Sequence, residues 1–211
     1  MASIAVIDYG MGNLRSVAKA LEHVSNTRVE VTADPERLRL AERVVFPGQG
    51  AIRDCIGELQ RLELLDVIQE LVRSRPFLGI CLGMQALLRH SEENGGTAAL
   101  DIFPGEVRHF QRALGAEAAL KIPHMGWNQV WQTRAHPLWQ GIPDGSRFYF
   151  VHSYYVAPAE PELTTGTTDY GIAFTAALGR GNVFATQFHP EKSQHAGLTL
   201  LANFARWDGS L

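Results

Sequence analysis

The chain has 211 residues, of which 45% are hydrophobic and 19% are charged, enough apolar material for one sizeable core. The formal net charge of −3, with scattered cations, argues against nucleic acid or an anionic membrane as a partner. The first apolar run ends at Asp8, too early for a signal peptide or a membrane span, and two cysteines make no disulfide framework. We expect a cytoplasmic protein whose thiols are reduced.

The first half of the chain alternates predicted strands with predicted helices. Continuous apolar runs, typical of strands buried on both faces, occupy residues 4–7 and 77–80, and further strands are predicted at residues 28–31 and 43–46. Apolar residues recur at helical spacing in residues 14–24, in 52–72 as a long or broken helix, and in 82–89. This alternation predicts a three-layer, doubly wound α/β fold with a mixed, mostly parallel sheet.

The second half of the chain is richer in predicted strands with short turns between them. The segments 106–110, 147–151 and 183–188 are expected to extend the sheet, some of them antiparallel, and a last helix is expected at residues 196–207. No internal repeat or linker divides the sequence, so we expect one domain over residues 1–211.

Gly79-Ile80-Cys81-Leu82-Gly83 has the pattern of a nucleophile elbow with cysteine as the nucleophile. Glycines on both sides of Cys81 permit a sharp turn from strand to helix, and the start of a helix favours the thiolate. The alternative is a buried structural cysteine, at roughly even odds on this motif alone. Cys55 has no elbow around it and is interpreted as a packing or inert residue.

A candidate base and its partner lie in Gln187-Phe188-His189-Pro190-Glu191. Pro190 favours an extended backbone at His189, and alternate residues of an extended segment project to the same side, which allows Glu191 to orient the imidazole. Cys81, His189 and Glu191 would then form a triad for acyl transfer. If each residue is considered alone, His189 is more simply explained as a turn histidine with local hydrogen bonds, and Glu191 as a solvated surface charge. A metal site is a weaker hypothesis, because the other histidines lack ligand spacing.

These motifs, together with Pro47-Gly48-Gln49-Gly50, resemble those of the class I, triad-type glutamine amidotransferases. Within that family the chain is most similar to the glutaminase subunits of imidazole glycerol phosphate synthase, of histidine biosynthesis. The likeness runs from residue 4 to about residue 205. The segments that carry this finer likeness are residues 8–13, 123–128, 150–155 and 191–193.

The resemblance implies a role for each of several further residues. It places an oxyanion site at Gly48, Gln49, Gly50 and the N–H of Leu82. It places glutamine binding at Gln85, Glu93, Ser153 and Tyr154. The chain departs from the family's pattern at Gln49, where a small apolar residue is expected, and this side-chain amide is expected to alter how the loop moves between its inactive and active states.

The resemblance also implies a mechanism and a partner. Cys81 would attack the side-chain amide of glutamine, and the ammonia would pass to a cyclase subunit with a (β/α)8 barrel in a heterodimer. No cofactor is implied. Such a barrel does not fit within 211 residues that already contain this domain. The expected contact residues are Asn13, Trp127, Asn128 and Lys192, although Trp127 has a core aromatic as its alternative.

Three other functions fit part of the pattern. The chain could serve another acceptor pathway with the same chemistry, although the segments around Asp8 and Trp127 favour the histidine pathway. It could be an idle binding module of the same fold, against which the complete set of Cys81, His189 and Glu191 argues. It could also be a cysteine hydrolase or peptidase on a related sheet, against which Gln85 weighs.

Overall fold

The computed structural model of the protein describes residues 3–115 and 120–211. In chain order the strands are Ser3–Ile7 (β1), Arg28–Thr32 (β2), Arg43–Gly48 (β3), Phe77–Cys81 (β4), Leu88–Ser91 (β5), Thr97–Ala98 (β6), Phe103–His109 (β7), His124–Gln129 (β8), Trp131–Gln132 (β9), Arg147–His152 (β10), Tyr154–Pro158 (β11), Thr164–Asp169 (β12), Ala173–Arg180 (β13) and Val183–Thr186 (β14). The α-helices are Leu14–Val24 (α1), Pro35–Leu40 (α2), Ile52–Arg61 (α3), Leu65–Ser74 (α4), Leu82–Ala86 (α5), Phe110–Leu114 (α6) and Gln194–Arg206 (α7).

The centre of the main sheet is parallel, with the strand order β2-β1-β3-β4-β14. The sheet continues through β13, β11 and β7, which pair antiparallel, and ends at β5 and β6, while β12 and β9 attach beside β13. Side chains of β1 alternate between two separate cores, because successive residues of a strand face opposite sides. Ala5 and Ile7 join the core that contains α2, α3 and α4, whereas Ile4 and Val6 join the core of α1 and α7. The predicted three-layer, doubly wound sheet is confirmed.

Strand β10 does not extend the main sheet, as the sequence pattern suggested. It pairs antiparallel with β8 in a separate two-stranded sheet, in a register that sets Tyr149 opposite Trp127 and His152 opposite His124. One face of this small sheet is apolar and aromatic, with Phe148 and Phe150 fully buried. The small sheet therefore packs its apolar face against the main sheet instead of joining the edge of that sheet.

Several predicted boundaries were wrong by a few residues. The apolar segment 52–72 forms two helices, α3 and α4, separated near Glu63, which has a positive φ of 57°. The helix after Cys81 ends at Ala86, and Leu88 and Arg89 already belong to a strand. Phe110 begins a helix rather than ending a strand. These errors arise where buried apolar residues occur in both helices and strands, which apolar content alone does not distinguish.

The carboxyl ends of the central strands bring three loops together. Gly48 at the end of β3 lies in register with Cys81 at the end of β4, and the turn after β1 lies on the other side of β3. In open α/β sheets this edge is where ligands bind. No helix among the described ranges 3–115 and 120–211 is long and apolar enough to cross a membrane.

Candidate active site

Cys81 lies on a sharp turn between β4 and α5, with φ of 54° and ψ of −107°. Such a positive φ is strained for a residue other than glycine, and it persists only where the surroundings hold it. A Cβ added at Gly83 would lie 1.8 Å from the carbonyl oxygen of Phe46, and one at Gly79 would lie 3.0 Å from the Cβ of Ala185. The glycines therefore allow the backbones to approach closely enough to form the predicted elbow.

The helix after the elbow is shorter than the sequence pattern predicts. Because α5 has only five residues, from Leu82 to Ala86, its dipole is small. The electrostatic environment of Cys81 must come mainly from neighbouring side chains.

His189 is the charged neighbour of Cys81. Its Nδ1 lies 2.8 Å from Oε1 of Glu191, and the two side chains are only 3% and 1% exposed. The predicted extended backbone is present at His189, with φ of −99° and ψ of 98°, but it does not continue to Glu191, which lies in a short 3₁₀ turn, Pro190–Lys192. The backbone of His189 is fixed by three hydrogen bonds, since its N–H donates to the carbonyl of Tyr149 and its carbonyl accepts from Ser193 Oγ and from the N–H of Lys192.

The protonation of His189 depends on Cys81 and Glu191. Burial alone would lower the pKa of the imidazole, but the negative charge of the neighbouring Cys81 and the hydrogen bond with Glu191 raise that pKa to about 10. The second ring nitrogen, Nε2, is buried and has no hydrogen-bond partner among the described residues. An imidazolium with a free N–H beside a sulfur nucleophile is the arrangement that acyl transfer to cysteine needs.

A cavity of about 420 Å³ opens over Cys81 and His189, a size suited to a small metabolite. Ten of the residues singled out from the sequence line it, namely Gln49, Gly50, Cys81, Leu82, Gln85, Glu93, Ser153, Tyr154, His189 and Lys192. Gly48 lies beneath it, where an added Cβ would be 2.3 Å from the hydroxyl of Tyr9. Glu191 lies behind His189, and Asn13, Trp127 and Asn128 are not part of the lining.

A hydrogen-bond network runs along the floor of the cavity. The Gln85 amide donates to the carbonyl of Tyr154 at 3.0 Å and to Oε1 of Gln187 at 3.1 Å. The Gln187 amide in turn lies 3.7 Å from Sγ of Cys81. Gln187 was given no role from the sequence. Its signal was a glutamine directly after the apolar run of β14, two positions before His189, and in the structure it is completely buried.

Glu93 contacts both the cavity and the helix beside it. Its carboxylate accepts a hydrogen bond of 2.8 Å from the N–H of Ile52, the first residue of α3. Helix α3 has no side-chain cap of its own, so Glu93 supplies one from a distant segment. This contact ties the end of the Gly48–Gln49–Gly50 loop to the wall of the cavity.

The residues expected at a partner interface differ in their surroundings. Trp127 is 39% exposed, which excludes the core aromatic reading, and its ring lies 6.1 Å from that of Tyr149. Lys192 also contacts Tyr149, with its Nζ lying over the Tyr149 ring at 6.0 Å from the ring centre. The side chain of Asn128 instead points inward to His124, and that of Asn13 caps α1 by accepting from Ser16.

The sequence reasoning also missed His124 and His152. Both are buried, and their ring nitrogens lie 2.9 Å apart. Within the described parts of the chain, no group of three or more His, Cys, Asp or Glu side chains is arranged to hold a metal ion.

The family model of class I glutamine amidotransferases matches residues 5–206. The chain belongs to that family. Its curated relatives include the imidazole glycerol phosphate synthase subunit HisH of Nitrosococcus oceani, 60% identical over 99% of both chains, and that of Pseudomonas putida, 59% identical over the same shares. HisH 1 of Pseudomonas aeruginosa is 58% identical over 99% of both chains. The predicted family and its glutamine amidotransferase class of enzyme are confirmed.

Two solved structures with low sequence identity share the fold. The glutaminase domain of Trypanosoma brucei CTPS with bound acivicin matches with a TM-score of 0.70, at 17% identity over 99% of this chain and 95% of that one. PurLQS from Thermotoga maritima matches with a TM-score of 0.67, at 16% identity over 96% and 97%. At such identities the likeness shows the fold alone.

Proposed function

We propose that this chain is the glutaminase subunit of an imidazole glycerol phosphate synthase, acting as one domain that hydrolyses glutamine at Cys81. The observation that carries the proposal is that Cys81, on its elbow, lines the same cavity as His189, whose imidazole is paired with Glu191 at 2.8 Å. The full-length relatives of similar sequence carry the HisH name, which supports the pathway.

The proposed reaction has two steps. The Cys81 thiolate bonds to the side-chain carbonyl carbon of glutamine, and the imidazolium of His189 gives its proton to the departing nitrogen, which leaves as ammonia. Water, deprotonated by His189, then attacks the thioester, releases glutamate and returns the thiol. Glu191 fixes the tautomer of His189 and stabilises its charge in both steps.

The tetrahedral intermediate carries an oxyanion that needs N–H donors. The N–H of Leu82 follows the nucleophile directly, and the Gly48–Gln49–Gly50 loop lies in register beside Cys81. Removing one such donor from an oxyanion site lowers kcat by roughly 10²–10³-fold in other enzymes. We assign these groups to the oxyanion, with the Gln49 peptide as the element that partner binding would adjust.

The far end of the glutamine substrate carries an ammonium and a carboxylate. Glu93 is an acidic residue of the cavity lining, so it suits the ammonium group. Gln85, together with the backbone of Ser153 and Tyr154, offers further polar groups of the lining. These four residues are our proposed glutamine-binding set.

Ammonia loses its nucleophilicity when it is protonated in bulk water, which gives a reason for direct transfer to a second active site. We propose that the receiving site belongs to a (β/α)8-barrel cyclase that docks on the outer patch, defined as Met125, Trp127, Tyr149 and Lys192. Met125 and Trp127 are 61% and 39% exposed on the same side of β8. Tryptophan and tyrosine are enriched at interface hot spots. Because a thiol nucleophile must stay reduced, we place the reaction in the cytoplasm.

The function is tested by following glutamate release from the chain mixed with a cyclase subunit and its nucleotide ligand. Cys81→Ala is expected to abolish release without loss of fold, whereas Cys55→Ala should retain it. Cys55 is the matched control because burial raises the pKa of its thiol to about 12, which makes it a poor nucleophile. Turnover by Cys81→Ala would refute the triad. A free chain that is as fast as the complex would refute the proposed activation by the cyclase subunit.

A further inference from the structure

Two buried histidines that the proposed reaction does not use lie at the wall of the glutamine cavity: His152 is part of its lining, and His124 contacts His152 from outside the lining. His124 and His152 are cross-strand partners in the β8–β10 sheet, and they are 3% and 6% exposed. Nδ1 of His124 lies 2.9 Å from Nε2 of His152. Such a contact needs one proton between the two nitrogens, so the tautomers of the rings are linked.

The direction of the hydrogen bonds is set at one end by Tyr154. Its carbonyl oxygen lies 2.7 Å from Nδ1 of His152, and a carbonyl can only accept, so that nitrogen carries the hydrogen. In a neutral ring Nε2 of His152 then accepts, which requires His124 to donate from its Nδ1. Nε2 of His124 is left as an acceptor.

The same direction is set independently at the other end by Asn128. Its amide nitrogen lies 2.8 Å from the carbonyl oxygen of Asp169, and its oxygen accepts from the N–H of Gln129 at 2.8 Å. These two backbone groups fix which side of the amide is the donor. The amide nitrogen also lies 3.2 Å from Nε2 of His124, the acceptor that the first end requires.

Both rings are suited to such a chain because they stay uncharged at neutral pH. Burial lowers the pKa of His124 to about 4. Burial, opposed by the hydrogen bond to the Tyr154 carbonyl, lowers that of His152 to about 3. A protonated ring would place a donor against a donor and break the chain.

The chain ends at a group that the substrate is expected to meet. The Tyr154 carbonyl accepts from His152 and also from the amide of Gln85, and both Tyr154 and Gln85 line the glutamine cavity. With two donors on one oxygen, the peptide between Tyr154 and Tyr155 is held in a single orientation, and the Gln85 amide is oriented by the same contact.

We propose that His124 and His152 are positioning residues of the glutamine site, which hold the Tyr154 carbonyl and the Gln85 amide in place through a one-directional chain that starts at Asn128. This inference rests on the proposed glutaminase function and adds to it the residues that shape the substrate wall. Asn128 thereby acts through the interior of the protein, from the strand whose other face carries Trp127.

The first test is the tautomer of each ring, measured in ¹⁵N-histidine NMR spectra of the free chain at neutral pH. We expect His124 and His152 to be neutral and protonated at Nδ1. His152 protonated at Nε2 instead would overturn the inference. This readout needs no activity, so it stands even if the chain proves not to hydrolyse glutamine.

The second test compares His124→Phe, which keeps the ring and removes both nitrogens, with His124→Asn, which keeps a donor near the position of Nδ1. In the complex with the cyclase subunit, His124→Phe should raise KM for glutamine by roughly ten-fold and change kcat much less, because a buried acceptor is left unpaired. His124→Asn should show a smaller increase. In the phenylalanine variant alone, the ¹⁵N signal of His152 Nε2 should shift because this acceptor loses its donor, while Nδ1 stays protonated against the Tyr154 carbonyl.

The matched control is His136→Phe, since His136 is another buried neutral imidazole, 6% exposed, whose neighbours are Phe184 and Trp207. It should lower stability without changing KM. An unchanged KM in His124→Phe, or a larger increase in His124→Asn than in His124→Phe, would overturn the inference. Absence of glutamate release by the wild-type complex would instead refute the proposed function. If His124→Phe does not fold, Asn128→Ala is expected to raise KM in the same way, and an unchanged KM there counts against the chain.

Discussion

The elbow around Cys81 and the β8–β10 sheet beside it are built by different means. At the elbow, close contact between backbones decides the geometry, as shown by the 1.8 Å that would separate a Cβ at Gly83 from the Phe46 carbonyl. In the β8–β10 sheet, side chains decide it, through the hydrogen bonds that join Asn128, His124 and His152. The nucleophile is therefore fixed by packing, whereas the substrate wall is fixed by polar contacts that a single protonation or substitution can change.

The largest effect on activity is expected at the buried pair of His189 and Glu191, next to Cys81. Glu191→Gln keeps the shape of the side chain but removes its charge, so the pKa of His189 should fall and the imidazolium should lose its stabilisation. We expect kcat for glutamate release to fall by about 10²–10⁴-fold, as for other triads without their acid. The exposed Glu162→Gln is the control, and a kcat for Glu191→Gln within a few-fold of wild type would contradict the assignment.

The backbone contact at the elbow is tested by Gly83→Ala. The added Cβ meets the Phe46 carbonyl, which belongs to a central strand and moves only with it, so we expect a loss of about 3 kcal/mol or more in the free energy of unfolding. Gly57→Ala, where an added Cβ meets no atom within 4 Å in helix α3, should instead stabilise by up to about 1 kcal/mol. Denaturant titration measures both. Equal stabilities would show that the elbow is not closely packed.

Acid is expected to affect the β8–β10 sheet more than the elbow around Cys81. Burial lowers the pKa values of His124 and His152 to about 4 and about 3, below the 6.5 of an unfolded histidine. The unfolded chain therefore binds more protons below pH 6.5, so these groups make stability fall as the pH drops towards 4. His189 has a raised pKa, and the stability that it contributes is lost only as the pH rises towards about 10.

The size of this acid effect follows from the pKa differences. Between pH 6.5 and pH 5 each of the two buried histidines should cost about 1.6 kcal/mol of stability. Urea titrations at the two pH values measure it, and His124→Phe should show a shallower dependence than the wild type. A pH dependence that is the same in both would argue against a neutral, buried His124.

The smallest expected effect concerns the outer patch. Trp127→Ala should weaken binding of the cyclase subunit by roughly ten- to thirty-fold, because exposed aromatic anchors dominate interface energies. Trp131→Ala is the matched control, since Trp131 is 49% exposed on a different strand. Titration calorimetry gives the two dissociation constants. Equal weakening by both substitutions would place the interface elsewhere.

Parts of the site could be predicted because their signals are local in the sequence. The glycines around Cys81 and the spacing of His189 and Glu191 lie within two five-residue segments, so a pattern search finds them. Gln187 and the two histidines were missed because their function depends on partners 28 to 106 residues away. Strand β10 was predicted in the wrong sheet for the same reason, since strand pairing depends on residues far apart in the chain and an apolar pattern does not encode it.

The sequence by itself determined the family, the doubly wound fold and the identity of the candidate nucleophile, because alternating apolar runs and short motifs specify local structure. Only the tertiary structure decided that Cys81 and His189, far apart in the chain, share one cavity, and that Glu191 meets His189 from a 3₁₀ turn. It also decided that Asn128 points inward while Trp127 points outward. The physical reason is that burial, hydrogen-bond direction and pKa are properties of neighbours in space, and those neighbours are set by how the strands pair.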